Sequence, residues 1–206
     1  MYQIYINNRA ISLSDDLEKY SVQKYRLFYK YNEASGLSEA IISFINSANI
    51  PSLFVYHNNM QKLWEDFRKI FLVIEAAGGL VWNKAGRFLV IKRFGKWDLP
   101  KGKKNKEEKT ESCALREVSE ECGLDEPEIK KNLGITYHIY FLKSKIVLKE
   151  TSWFEMFHNG TDQLTPQTGE DITEAHWVKP NDVSIITKNT YPSIINILEK
   201  AGINTR

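Results

Sequence analysis

Cysteine is scarce in this chain. Only Cys113 and Cys122 occur among its 206 residues. They fall on one predicted helix, and at about 100° per residue they point to opposite sides, so they cannot bridge. A disulfide framework is therefore excluded as the source of stability. Long apolar runs are also missing. The most apolar stretch, Ile70 to Trp82, is broken by Glu75 and is too short to span a bilayer, so no membrane partner is expected. The opening residues, MYQIYINNRAISLSDD, have no basic leader followed by an apolar core, and a signal peptide is not expected. With neither feature, the expected location is cytoplasmic. A charge excess is absent too: 28 Lys and Arg against 26 Asp and Glu leave a net charge of +2. No global field draws the chain to nucleic acid or anionic lipid, so any functional charge must be local. Among the histidines, His57, His158 and His176 lack metal-ligand spacing.

What is present reads as a folded protein. An apolar share of 42% and an aromatic share of 12% argue against disorder. YQIYI and ISLS form a hairpin pattern around Asn7-Asn8. Residues 15–34 show no clear periodicity. Ser38 is expected to cap a helix through Asn46 with Leu37, Ile41, Phe44 and Ile45 on one face. A strand LFVYH and a second helix over roughly 59–69 follow. Residues 1–70 thus read as a small N-terminal α/β module, and residues 71–206 as a second domain. There, FLVIEAAGGLVWN and RFLVIKRF flank a turn at Asn83–Gly86. GITYHIYFL, KIVLKETSWFEMFH and EAHWV are further strands. A last helix, roughly Tyr191–Lys200, has Pro192 near its start and Gly202 past its end. Many strands around one central helix predict an α+β sandwich.

That central helix carries the anomaly. In GKKNKEEKTESCALREVSEECGL, Glu117, Glu120 and Glu121 share an arc of about 100°. Ala114, Leu115, Val118 and Cys122 form the apolar flank. Thr110 is expected as N-cap and Gly123 as the stop. Like charges so close repel. Hard divalent cations with oxygen ligands, Mg²⁺ or Mn²⁺, would neutralise them. Arg116 is expected to pair with Glu108 and staple the preceding loop to the helix. Gly102 would let a backbone carbonyl turn toward the metal. On the six residues REVSEE alone, a solvated helix face is the plainer reading.

The whole stretch says more. Gly102, five residues, Glu108, seven residues, Arg116-Glu117, an apolar residue, any residue, Glu120-Glu121, any residue, Gly123 and Leu124 match the Nudix box at every fixed position. The chain therefore resembles the Nudix hydrolases over about residues 71–200. The resemblance implies a Nudix-type α/β/α sandwich with a mixed β-sheet. It implies metal-dependent hydrolysis of pyrophosphates, typically a nucleoside diphosphate linked to another group. Carried over by position, Glu117 and Glu121 would be the main metal ligands, with Glu120 a further ligand or base. The Gly102 carbonyl would also be near the metal, and Glu108 and Arg116 would be structural. The catalytic base would be Glu120 or Glu170, the latter in the late loop PQTGED. Phosphates would meet Lys92, Lys101, Lys103 and Lys149.

The lead-in GKWDLPKGK resembles that of dinucleoside polyphosphate and diphosphoinositol polyphosphate hydrolases. A dinucleoside polyphosphate is the favoured small-molecule substrate, with diphosphoinositol polyphosphate, ADP-ribose and capped RNA ends as alternatives. Near-zero net charge and no basic-aromatic stripe argue against a nucleic-acid partner. Tyr137, His138, Tyr140 and Phe141 are available to stack a base, or to fill the sheet core. A non-catalytic nucleotide sensor is the reading from another class, and the full set of box carboxylates argues against it. The N-terminal module is expected either to support the fold or to mediate contact, for instance in a homodimer.

Overall fold

A computed structural model describes residues 1–20, 24–125 and 127–205. It divides into two compact units, Met1–Val73 with Tyr137–Lys149, and Ile74–Thr136 with Glu150–Arg206.

The first unit begins with the hairpin β1 (Tyr2–Ile6) and β2 (Arg9–Ser14), turned at Asn7 with positive φ. Leu27–Lys30 forms β3, Ala34–Asn46 forms α1, Ser52–Tyr56 forms β4 and Met60–Arg68 forms α2. Both β2 and β3 pair parallel to β4. The predicted α1 face is buried as its spacing requires, with Leu37, Ile41, Phe44 and Ile45 in one core with Leu63 and Phe67 of α2. The helix starts a turn before the expected Ser38, from Glu33, whose side chain makes no cap bond. Gly36 fits that added turn because a Cβ there would meet the Tyr29 hydroxyl at 2.6 Å. Residues 15–34 hold β3 and a short 3-10 turn at Leu17–Lys19, and residues 21–23 lie outside the described residues. Asp66 is buried and accepts from the Tyr31 hydroxyl at 2.6 Å, Lys69 at 2.8 Å and Lys62 at 3.1 Å. These partners, Lys69 foremost, hold its carboxyl well below the usual range.

The second unit opens on β5 (Leu72–Asn83) and β6 (Phe88–Arg93). The Asn83 amide oxygen accepts from Ala85 and Arg87 N–H and closes the expected turn. Lys96–Asp98 forms β7 against β6, and Lys101–Lys103 forms β8 against β5. The acidic helix is α3, Thr110–Cys122. Two long strands follow, β9 (Glu128–Leu142) and β10 (Lys145–His158), then β11 (Ile172–Val178). A short α4 (Ser184–Thr187) and α5 (Pro192–Lys200) complete the unit.

Strand order here runs β11-β6-β5-β10-β9. The sheet buries a different core on each face. Leu89 and Ile91 pack with Ala114, Val118 and Cys122 of α3, while Phe88 and Val90 pack with Ile194, Ile197 and Leu198 of α5. This is the expected α/β/α sandwich, and strand alternation produces it. The two cysteines are free and both buried. Cys113 joins the α3 core instead of facing away from it. Among the described residues, no helix is long and apolar enough to cross a membrane.

Candidate active site

The site is built where β8 runs beside α3. Lys109, not Thr110, caps the helix, because its carbonyl takes the first helical bond from Cys113 N–H at 2.9 Å. Gly123, at φ 69°, ends it in the left-handed conformation. Between these ends the three carboxylates do not share one environment. Glu121 is 0% exposed and Glu117 6%, whereas the Glu120 side chain is 50% exposed. The expected single arc is thus split into an inward pair and one outward acid. Cys113, Glu117 and Glu121 recur every four residues and face inward together.

Backbone close to the helix receives the inward pair. Lys101 N–H donates to Glu121 Oε2 at 2.9 Å. A Cβ at position 102 would fall on the Glu117 carboxylate, so glycine is required there to let strand and acid approach. Two arginines offset the negative charge. Arg116 donates from Nε and Nη2 to both oxygens of Glu108, at 2.8 and 2.9 Å, and from Nη1 to Glu117 at 2.7 Å and Glu120 at 3.0 Å. Its Nη2 also donates to the Lys103 carbonyl at 3.1 Å, which ties the loop to the helix. Arg93 donates from Nη1 to Glu121 at 3.0 Å and from Nη2 to Glu170 at 2.9 Å. One guanidinium thereby links the box to the late loop.

The titration of these groups follows their surroundings. Burial pushes the Glu121 carboxyl up to about 7, against the opposing pull of Lys101 and Arg93. Burial raises Glu117 as well. Hydrogen bonds from Arg116 bring Glu108 down to about 2. Lys101 forms a 2.9 Å pair with Asp98, its side chain only 14% exposed. Burial disfavours its charge, but Asp98 and Glu121 more than offset that and its pKa is raised.

The donor set suits a hard divalent cation in kind: carboxylates at 117, 120 and 121 and a backbone carbonyl at Gly102. Among the described residues, no three His, Cys, Asp or Glu side chains already converge to hold one. The arginines span the acids instead.

A family model, the NUDIX domain, matches residues 73–199, more than half of the chain. The chain belongs to the Nudix family. A curated relative, mRNA-decapping enzyme subunit 2 of Arabidopsis thaliana, is 26% identical over 159 residues, 66% of this chain and 41% of that protein. The chain thus spans about two fifths of that relative's length. Among solved structures, a MutT protein from Methanosarcina mazei Go1 is 24% identical with TM-score 0.49, covering 65% of this chain and 96% of that one. A C. elegans Ap4A hydrolase is 23% identical with TM-score 0.49, covering 63% and 95%. The two structural likenesses carry no argument about substrate.

The other residues singled out in the sequence of this Nudix-family chain occupy several elements. Lys103 is exposed on β8. Lys92 continues the Phe88–Val90 row, on the sheet face away from α3, and pairs with Glu174 at 2.8 Å. Lys149 belongs to the first unit, as do Tyr137, His138, Tyr140 and Phe141. Tyr137 packs edge-on to Trp64 at 4.7 Å, in the core of that unit. Arg93 was not among the expected residues. Its signal is parity: in RFLVIKRF it shares a face with Leu89 and Ile91, which pack on α3.

Proposed function

We propose that this Nudix hydrolase cleaves a phosphoanhydride bond in a nucleoside polyphosphate, with a dinucleoside polyphosphate as the leading substrate. The observation that carries the reading is the inward pair Glu117 and Glu121, buried against the backbone of Lys101 and Gly102. Two carboxylates kept out of water without a stronger cation are costly, and such a cost is borne where ions are to be held. Glu117 and Glu121 are the main ligands for Mg²⁺ or Mn²⁺, with Glu120 and the Gly102 carbonyl at hand. When bound, the ion supplies Lewis-acid stabilisation of the phosphoryl charge.

The chain's own groups do the rest. Arg116 orients Glu117 and holds the loop of Lys103 in place. Arg93 orients Glu121 and ties it to Glu170. The general base is Glu120 or Glu170, each one guanidinium away from a buried acid. The cation inventory bears on the substrate. Lys101 is committed to Asp98, Lys104 to Glu75 and Lys92 to Glu174. Fewer lysines are left for a densely phosphorylated inositol ring than the sequence suggests. A short phosphate chain with uncharged ends fits better. Capped RNA is a second reading, favoured by the likeness to the decapping enzyme subunit.

The test is a substrate panel with Mg²⁺ and with Mn²⁺, products identified by mass spectrometry. It contains diadenosine polyphosphates, ADP-ribose, a diphosphoinositol polyphosphate and capped RNA. Release of ATP or AMP from a diadenosine polyphosphate is expected. Turnover of the inositol compound or capped RNA alone would overturn the leading assignment.

A further inference from the structure

Outside the box, the β6–β7 hairpin ends in an unusual turn. Arg93 and Lys96 pair across it, leaving Phe94 and Gly95 as the two turn residues. Both have positive φ, 50° and 74°. A two-residue hairpin turn of that hand is normally filled by Asn-Gly or Asp-Gly, since asparagine and aspartate tolerate left-handed backbone. Phenylalanine does not tolerate it well, and a bulky residue there is an outlier. Nor does burial compensate: Phe94 is 68% exposed. The local chemistry of the turn and the hydrophobic effect both disfavour this residue, and conflicts of this kind collect at functional positions.

The position has chemical meaning. The Arg93 guanidinium carbon lies 5.5 Å from the centre of the Phe94 ring. The same guanidinium is bonded to Glu121 and Glu170. An exposed aromatic face therefore stands one guanidinium away from the carboxylates of the box. We propose that Phe94 is the stacking platform for the flat base of the substrate, and so a specificity-determining residue. This rests on the nucleoside polyphosphate reading and deepens it, because an inositol ring offers no π-face to stack. No base-specific hydrogen bond is implied, so purines and pyrimidines are both accepted, purines more tightly for their larger face.

The test separates base from phosphate. The full-length protein is titrated calorimetrically, with Mg²⁺, against a non-hydrolysable methylene analogue of ATP and against inorganic tripolyphosphate. Phe94→Ala is expected to weaken the analogue by about tenfold and tripolyphosphate by no more than about twofold. Phe94→Trp should restore binding of the analogue. Phe94→Asn supplies the residue the turn prefers, so it should melt at or above wild type yet lose the analogue as the alanine variant does. Equal losses for both ligands would mean that the turn only positions Arg93. Unchanged analogue binding in Phe94→Asn would mean that the ring is not used. Either result overturns the proposal, as does a wild type that binds the analogue no better than tripolyphosphate. Failure of the nucleotide reading itself shows separately, in the substrate panel with the unaltered protein.

Discussion

At the scale of single residues, Gly102 and Glu117 are one feature. The strand can lie against the acid only because position 102 has no side chain. Gly102→Ala should therefore cost about 1–3 kcal/mol of stability through overpacking. It should also lower kcat/KM at least about tenfold by displacing the carboxylate. Denaturant unfolding and steady-state kinetics check the two effects, and a variant unchanged in both would refute the close approach. Glu117→Gln keeps the volume and removes the charge. We expect turnover to fall by several orders of magnitude with an unchanged circular-dichroism spectrum. Near-normal turnover would refute the assignment of Glu117 as ligand. Glu108 acts on stability instead. Its pKa drops from 4.5 to about 2 on folding, so its contribution is complete above 4.5 and is lost as pH falls toward 2. The wild type should lose its advantage over Glu108→Gln across that window in acid melts.

At the scale of elements, α3 carries opposite linkage at its other end. Folding raises Glu121 from 4.5 to about 7. Its contribution is most favourable below 4.5, declines as pH rises and is flat above about 7. In chelator, this helix should weaken the protein between those limits. Divalent cation, which favours the ionised acid, should then raise the melting temperature more at pH 8 than at pH 5.5. Equal shifts at both values would argue against Glu121 as a ligand. The helix also shows what a sequence can and cannot disclose. Box spacing gives the element, its stop at Gly123 and its acids, because each is fixed by local geometry. A helical wheel ranks Glu117, Glu120 and Glu121 by angle alone. Which two are buried is decided by β8, a three-residue strand with no periodicity of its own. Lys92 and Arg93 are neighbours in sequence, and only the parity of β6 sends them to opposite faces. Charge alone favoured the lysine, and geometry favours the arginine.

At the scale of the whole molecule, a boundary near residue 70 follows the change in sequence texture, but texture does not show the return of Tyr137–Lys149 to the first unit. That return is a tertiary event, with Ile4 and Tyr5 paired to Tyr137 and His138 and with Ile139 and Leu148 in the first core. A chain lacking residues 1–69 would present Ile139 and Leu148 to water, so it should aggregate on expression. A soluble, monomeric truncation would contradict this. The polypeptide crosses between its units three times, after Val73, Thr136 and Lys149. No one scission can set either half free. A protease nick beside Val73 should leave two pieces that travel as one through a sizing column and part only in denaturant, a kind of stitching done with a hairpin where other chains use a bond.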